Sequence, residues 1–248
     1  MYCHENRSWI YCAARENGMR ETASFTGTRI QEIVEGLDSV YGNIVAAQAR
    51  WREASPFHCP DGCGSCCVDF EPDVLESEAL YLAAWMLYHQ KERAEAILNG
   101  TFVSPRNDRG SGCFLFNPDS PYHCTVYDGR CLICRLFGYT GDRGKDGRPR
   151  WKPCKFLPVG SGDAAGDLRR QYGEQELLDR FGVFPPLMSD ITAQVLALTP
   201  DNIGERRSLR EALPAAIGKI RMLQRFTLLP TDPDAPEPNP ESPMPRAS

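Results

Sequence analysis

The sequence predicts a mainly α-helical protein whose helices surround irregular, cysteine-rich loops organised by metal, with at most a small β element. Three observations predict it. Apolar residues recur at helical spacing before residue 52, a strongly apolar run and a charged helical stretch cover 74–98, and further helical stretches lie beyond 168. The intervening stretch is rich in Gly, Pro and Cys and shows little periodicity. Nine of the eleven cysteines fall between Cys59 and Cys154, so that stretch needs something other than a hydrophobic core to organise it.

Residues 1–27 are polar and irregular and read as an extension outside the domain, with Met19 a possible second start. The domain is expected over 28–230, with the cluster at 59–154 and a helical C-terminal part at 163–228. In the first helix, Ile30, Ile33, Val34, Leu37, Val40, Tyr41, Ile44, Val45 and Trp51 define one face. Gly36 and Gly42 predict a kink there, or two short helices. Pro72 marks the start of the next helix, whose Val74–Leu87 run is strongly apolar. A charged helix follows over Lys91–Leu98 and ends at Asn99-Gly100. Residues 113–116 and 122–127 read as short strands, Arg130–Phe137 as one or two helical turns, and Gly138–Pro149 as loop. Leu168–Phe181, Leu187–Leu198 and Leu209–Phe226 read as helices, with Pro214 marking a start or a kink in the last. Residues 231–248 hold six prolines and read as a disordered tail.

Composition narrows the function. The chain has 248 residues, 42% hydrophobic, with a formal net charge of -5. That suits one large domain with appendages and gives no bulk attraction to nucleic acid or an anionic membrane surface. No stretch approaches the roughly 18 apolar residues of a membrane helix, and the start lacks the apolar run of a signal peptide. The expected compartment is the cytoplasm, where reduced thiols are available to metal. An odd cysteine count leaves one thiol over in any disulfide scheme, which weakens a disulfide-stapled scaffold as an alternative.

The cysteines form two boxes. The first is Cys59-Pro-Asp-Gly-Cys63-Gly-Ser-Cys66-Cys67. Spacings of this kind direct several sulfurs to one point, and Gly62 and Gly64 let the backbone turn tightly enough. Consecutive Cys66 and Cys67 are expected to point apart, serving two sites or one ligand and a neighbouring thiol. The second box comprises Cys113, Cys124, Cys131, Cys134 and Cys154. Metal joining two remote loops would add folding free energy, roughly 10–16 kcal/mol for structural zinc in small peptides. Soft thiolates with almost no nearby histidine select zinc, Cu(I) or iron–sulfur clusters. Eight thiolates fit one [4Fe–4S] cluster plus a second site, or two four-cysteine zinc sites. The C-x3-C-x2-C spacing also occurs in cluster-binding loops and favours iron–sulfur. The same spacing matches radical-SAM enzymes, but Ser65 stands where those carry an aromatic, and the chain lacks alternating strand–helix units.

These residues resemble the YkgJ family of cysteine-cluster proteins, a zinc- or iron-chelating domain. Its early cysteine box corresponds to Cys59, Cys63, Cys66 and Cys67. Its C-x-hydrophobic-Tyr element corresponds to Cys124-Thr-Val-Tyr127, and its Arg-Pro-x-x-Cys-Arg-x-Phe-Pro element to Arg130-Cys131-Leu-Ile-Cys134-Arg135-Leu-Phe137-Gly138. Cys131 and Gly138 stand where the family carries proline. The resemblance implies metal binding by Cys59, Cys63, Cys66, Cys67, Cys124 and Cys134, with Cys113 and Cys154 as flanking ligands and Cys131 as an extra thiol. Flagellin lysine methylases carry a similar cluster.

Other residues divide between site and scaffold. Arg135 is the candidate cofactor-binding cation, donating to a cluster sulfur or offsetting its charge; the alternative is a surface ion pair. His58 and His123 each precede a cysteine; a ligand role is the alternative, but they read as exposed loop residues or donors behind the ligands, Tyr127 as a packed aromatic, and Asp61 and Asp69 as solvated carboxylates. Trp85-Met86-Leu87 reads as core, and Arg143–Lys152 as a solvated loop. No hydrolytic triad, phosphate loop or carboxylate pair is recognisable. The expected function is metal binding through an iron–sulfur cluster, zinc or both. The alternatives are a redox or methyl-transfer enzyme, and a metal delivery or storage protein.

Overall fold

The computed structural model describes residues 25, 27–57, 59, 63–106, 112–157, 170–202 and 204–227. The expected tail over 231–248 and nearly all of the extension over 1–27, with Cys3, His4 and Cys12, lie outside them, as do His58 and Asp61. The architecture is mainly α with two small antiparallel sheets.

Helix α1 spans Arg29–Ala54 and is capped by the Thr28 side chain, which accepts from the Gln31 N–H. It is a single 26-residue helix rather than two short ones. Gly36 serves packing: a Cβ there would stand 2.6 Å from Leu198 Cδ2, so the missing side chain admits a neighbour. Strand β1 (Asp73–Val74) leads into α2 (Glu76–His89), buried along almost its whole length. Such a helix is apolar all round and belongs at the centre of a bundle. It packs between α1 and α7 (Leu209–Thr227), with α3 (Lys91–Leu98) closing one end. Gly100, at φ +70°, ends α3 in the left-handed conformation expected of a C-terminal glycine. Pro214 lies inside α7, which begins five residues before it.

The middle of the chain has little regular structure. Residues 113–116 and 122–127 form turns joined by one bridge, Phe116 to Cys124, instead of two strands. Helix α4 is short, Leu132–Leu136. The expected loop beyond it contains a hairpin, β2 (Asp142–Arg143) against β3 (Pro149–Trp151), with β4 (Tyr172–Gly173) on its far side. The helix read from Leu168 therefore starts later, as α5 (Glu174–Phe181), because Tyr172 is used in the sheet opposite Trp151. Helix α6 (Met188–Leu196) follows, and β5 (Arg207–Ser208) pairs with β1 before α7.

Two cores result. The larger lies among α1, α2, α3, α4, α6 and α7 and contains Trp85, Met86 and Leu87. The smaller gathers Trp51, Phe57, Tyr139, Trp151, Tyr172 and Leu177. Trp51 and Trp151 meet edge to face at 5.0 Å, and the Trp51 indole donates to the Phe57 carbonyl at 2.9 Å. The basic stretch is neutralised locally: Arg143 pairs with Asp190 at 2.9 Å and Arg150 with Asp146 at 2.6 Å. Among the described residues no helix is long and apolar enough to cross a membrane.

Candidate metal centre

The two cysteine boxes meet because loop backbones join them. The Cys113 N–H donates to the Phe70 carbonyl at 3.1 Å. Arg106 donates to the Val68 carbonyl at 2.9 Å, and Gly112 leaves no room for a Cβ, which would lie 2.1 Å from that same oxygen. Thr125 donates through its N–H and hydroxyl to the Leu115 carbonyl, bringing Cys124 beside Cys113. Phe70 and Phe137 meet edge to face at 5.2 Å across the junction.

Seven cysteines then line one cavity of about 120 Å³: Cys59, Cys63, Cys66, Cys67, Cys113, Cys124 and Cys134. Cys154 stands at the side, its Cβ 3.3 Å from where a Gly138 Cβ would be, and it interacts electrostatically with Cys59. Cys131 is 2% exposed, packs in the larger core and does not line the cavity. None of the nine described cysteines is in a disulfide. Among the described residues no three Cys, His, Asp or Glu side chains already stand in ligating positions. The thiols line the walls of a shared space.

Cys66 and Cys67 do not point apart as expected. Gly64, at φ +58°, turns the chain into a 3-10 turn over Ser65–Cys67, and the two sulfurs lie 3.9 Å apart. Tetrahedral coordination with metal–sulfur bonds of about 2.3 Å puts sulfurs about 3.8 Å apart, so this pair matches two corners of one tetrahedron.

The cysteines fall into two neighbourhoods. Cys113, Cys124 and Cys134 pack against the larger core, and Cys59 against the smaller. Cys67 interacts with Cys66, Cys134 and Cys124, whereas Cys59 interacts with Cys63, Cys154 and Cys66. Cys66 therefore belongs to both. Burial pushes the Cys59 and Cys113 thiols up to about 12 and raises Cys124 and Cys134 as well. The hydrogen bond from Cys67 brings Cys66 down to about 7, while the Cys67 thiol is pushed up by that bond and by burial. Burial therefore favours the neutral thiols, and a bound cation would shift them toward thiolate.

Arg130 interacts with several of the cavity sulfurs, whereas Arg210 acts on Cys113 and Arg135 on Cys131. The Arg130 guanidinium lies 3.9 Å from the Tyr127 ring centre, donates to the Tyr127 carbonyl at 2.7 Å and interacts with Cys66, Cys124 and Cys134. Arg135 lines the cavity too, but it is 7% exposed and lies over the Tyr41 ring. Its guanidinium donates to the carbonyls of Arg130 and Asp128. Among the described residues it makes no exposed ion pair and no hydrogen bond to a sulfur, though its charge acts on the Cys131 thiol. Arg130 was present in the motif, but its orientation depends on the 3-10 turn over Tyr127–Gly129, which spacing does not show. Tyr127 packs against Tyr122 at 4.4 Å, and Asp69 is exposed. His123, expected to be exposed or a distant donor, lies half-buried on the cavity wall.

Residues 58–155 match the family model CxxCxxCC, described as a putative zinc- or iron-chelating domain. Over that segment the chain is similar to this family. The boundaries of the chelating domain enclose every cysteine on the cavity wall. No curated protein and no solved structure matched the chain. The donor set suits the metals in the family's description: among the described residues that line the cavity sulfur predominates and no carboxylate occurs, so a soft or borderline ion is the fitting guest.

Proposed function

We propose that the protein holds a thiolate-bound metal centre in this cavity, an iron–sulfur cluster in preference to zinc. The observation that carries the reading is the gathering of seven thiols from two remote segments around one space of about 120 Å³. A four-cysteine zinc site encloses a single ion; this space suits a centre of several atoms and more than four sulfurs. The larger-core side would supply Cys67, Cys113, Cys124 and Cys134, and the smaller-core side Cys59, Cys63 and Cys154, with Cys66 between them. Arg130 offsets thiolate charge, and Arg135 holds the loop that orients Arg130. When bound, such a cluster supplies electron-transfer or Lewis-acid chemistry.

Elemental analysis and absorption spectroscopy of protein purified without oxygen test this. Iron with inorganic sulfide, and an absorption band at about 400 nm, are expected. Cys63→Ser and Cys134→Ser should each lower the metal content. Unchanged metal content in both variants refutes the site; zinc alone with no such band refutes the cluster.

A further inference from the structure

We propose that His123 is a nitrogen ligand of the centre, which makes the site mixed thiolate–imidazole; this rests on the metal-binding reading above. Among the described residues, His123 Nδ1 is buried and has no hydrogen-bond partner. A buried polar atom with no partner calls for a specific explanation, and a missing ion is one of them. Three other buried side-chain atoms share this condition, on Tyr41, Ser77 and Trp151, but none of those residues lines the cavity, whereas His123 does.

The surroundings fix the ring in place. His123 is the only non-glycine residue with positive φ among the described residues, at +51°. Such a conformation is uncommon for a side chain bearing a Cβ and is found where surrounding structure enforces it. The ring stacks on Phe116 at 5.8 Å with a 23° tilt. Its other neighbour is Gly64, where a Cβ would come within 2.4 Å of His123 Cδ2. Two unusual backbones, at residues 64 and 123, therefore meet where the first cysteine box touches the second. Gly64 lies between Cys63 and Cys66, and His123 precedes Cys124. The imidazole thus shares the cavity wall with cysteines from both segments. Neutral imidazole is a common metal ligand through either ring nitrogen.

The test uses full-length protein stripped of metal by anaerobic chelation and reloaded with zinc. X-ray absorption at the zinc edge reads the ligand shell directly. Sulfur at about 2.3 Å together with nitrogen at about 2.0–2.1 Å is expected in the wild type. His123→Asn should lose the imidazole signal and bind zinc at least tenfold more weakly. Asn tolerates positive φ, so the metal-free variant should keep the circular dichroism and thermal midpoint of the metal-free parent. A wild-type shell of sulfur alone, or identical shells and affinities in both proteins, overturns the assignment while leaving the thiolate centre standing. Wild-type protein that carries no metal as purified and takes up no zinc fails the metal-binding reading itself. The wild-type spectrum decides the question even if the variant does not fold.

Discussion

The backbone N–H of Leu132 donates to Glu78 Oε1 at 2.8 Å, while Oε2 of the same carboxylate accepts from the Leu75 N–H at 3.0 Å. Leu75 and Leu132 open α2 and α4. One carboxylate therefore satisfies orphan donors at two helix N-termini, and both helix dipoles favour its charge. Because α4 carries Cys134, Glu78 fixes a cavity thiol to the central helix of the bundle. Glu78 is 1% exposed, with Arg206 3.7 Å away.

Removing that carboxylate orphans two buried N–H groups. Each costs about 1–3 kcal/mol, so Glu78→Ala should destabilise the metal-free protein by about 2–4 kcal/mol in urea unfolding. Metal content should fall as well, because α4 loses its anchor. A loss below about 1 kcal/mol would show that water replaces the carboxylate.

The same burial gives stability a pH dependence. Glu78 is raised above its ordinary value, chiefly by burial, although the two backbone hydrogen bonds and Arg206 oppose the shift. The folded state thus holds this proton more tightly than the unfolded state does. Its contribution is fully present below about pH 4.5 and is lost as pH rises through the raised folded value. Relative to Glu78→Gln, the wild type should be most stable near pH 4 and lose ground as pH rises. A stability gap between the two that does not change with pH would contradict this.

The helical frame was largely legible, since α1 follows apolar periodicity, α2 is a continuous apolar run and α3 is a charged stretch stopped by Asn99-Gly100. Long-range contacts were not. Gly36 read as a weak point in α1 because Leu198, which fills the space above it, is 162 positions away in the chain. The hairpin of β2 and β3 looked like loop because its strands are two and three residues long and its third strand comes from Tyr172–Gly173. The boxes could be read because cysteine spacing is local. The separate roles of Arg130 and Arg135 could not: one helical residue turns the chain by about 100°, so Arg135, directly after Cys134, faces Tyr41.

Cys131 and Cys134 form a C-x2-C pair but should behave differently. Cys131 is the N-cap residue of α4 and packs in the larger core, where burial raises its thiol well above the ordinary range. Cys131→Ala should leave metal content unchanged, whereas Cys134→Ala should lower it. In metal-free protein, alkylation followed by mass spectrometry should label the cavity cysteines and reach Cys131 only after denaturation. Early labelling of Cys131 would contradict its burial.

Gly64 and His123 should be energetically coupled. Gly64→Ala meets two obstacles: a positive φ, and a Cβ within 2.4 Å of the His123 ring. A side chain forced into that backbone region costs about 1–3 kcal/mol, and displacing the ring adds to the cost. Replacing the ring as well, in Gly64→Ala/His123→Ala, removes the collision and leaves only the backbone term. The double variant should therefore be more stable than the sum of the two single changes predicts, by about 0.5–3 kcal/mol as for residues in contact. Urea unfolding of the four metal-free proteins measures this directly. Strict additivity would mean that the ring does not press on residue 64, and the packing that holds the imidazole at the junction of the two cysteine boxes would be wrong.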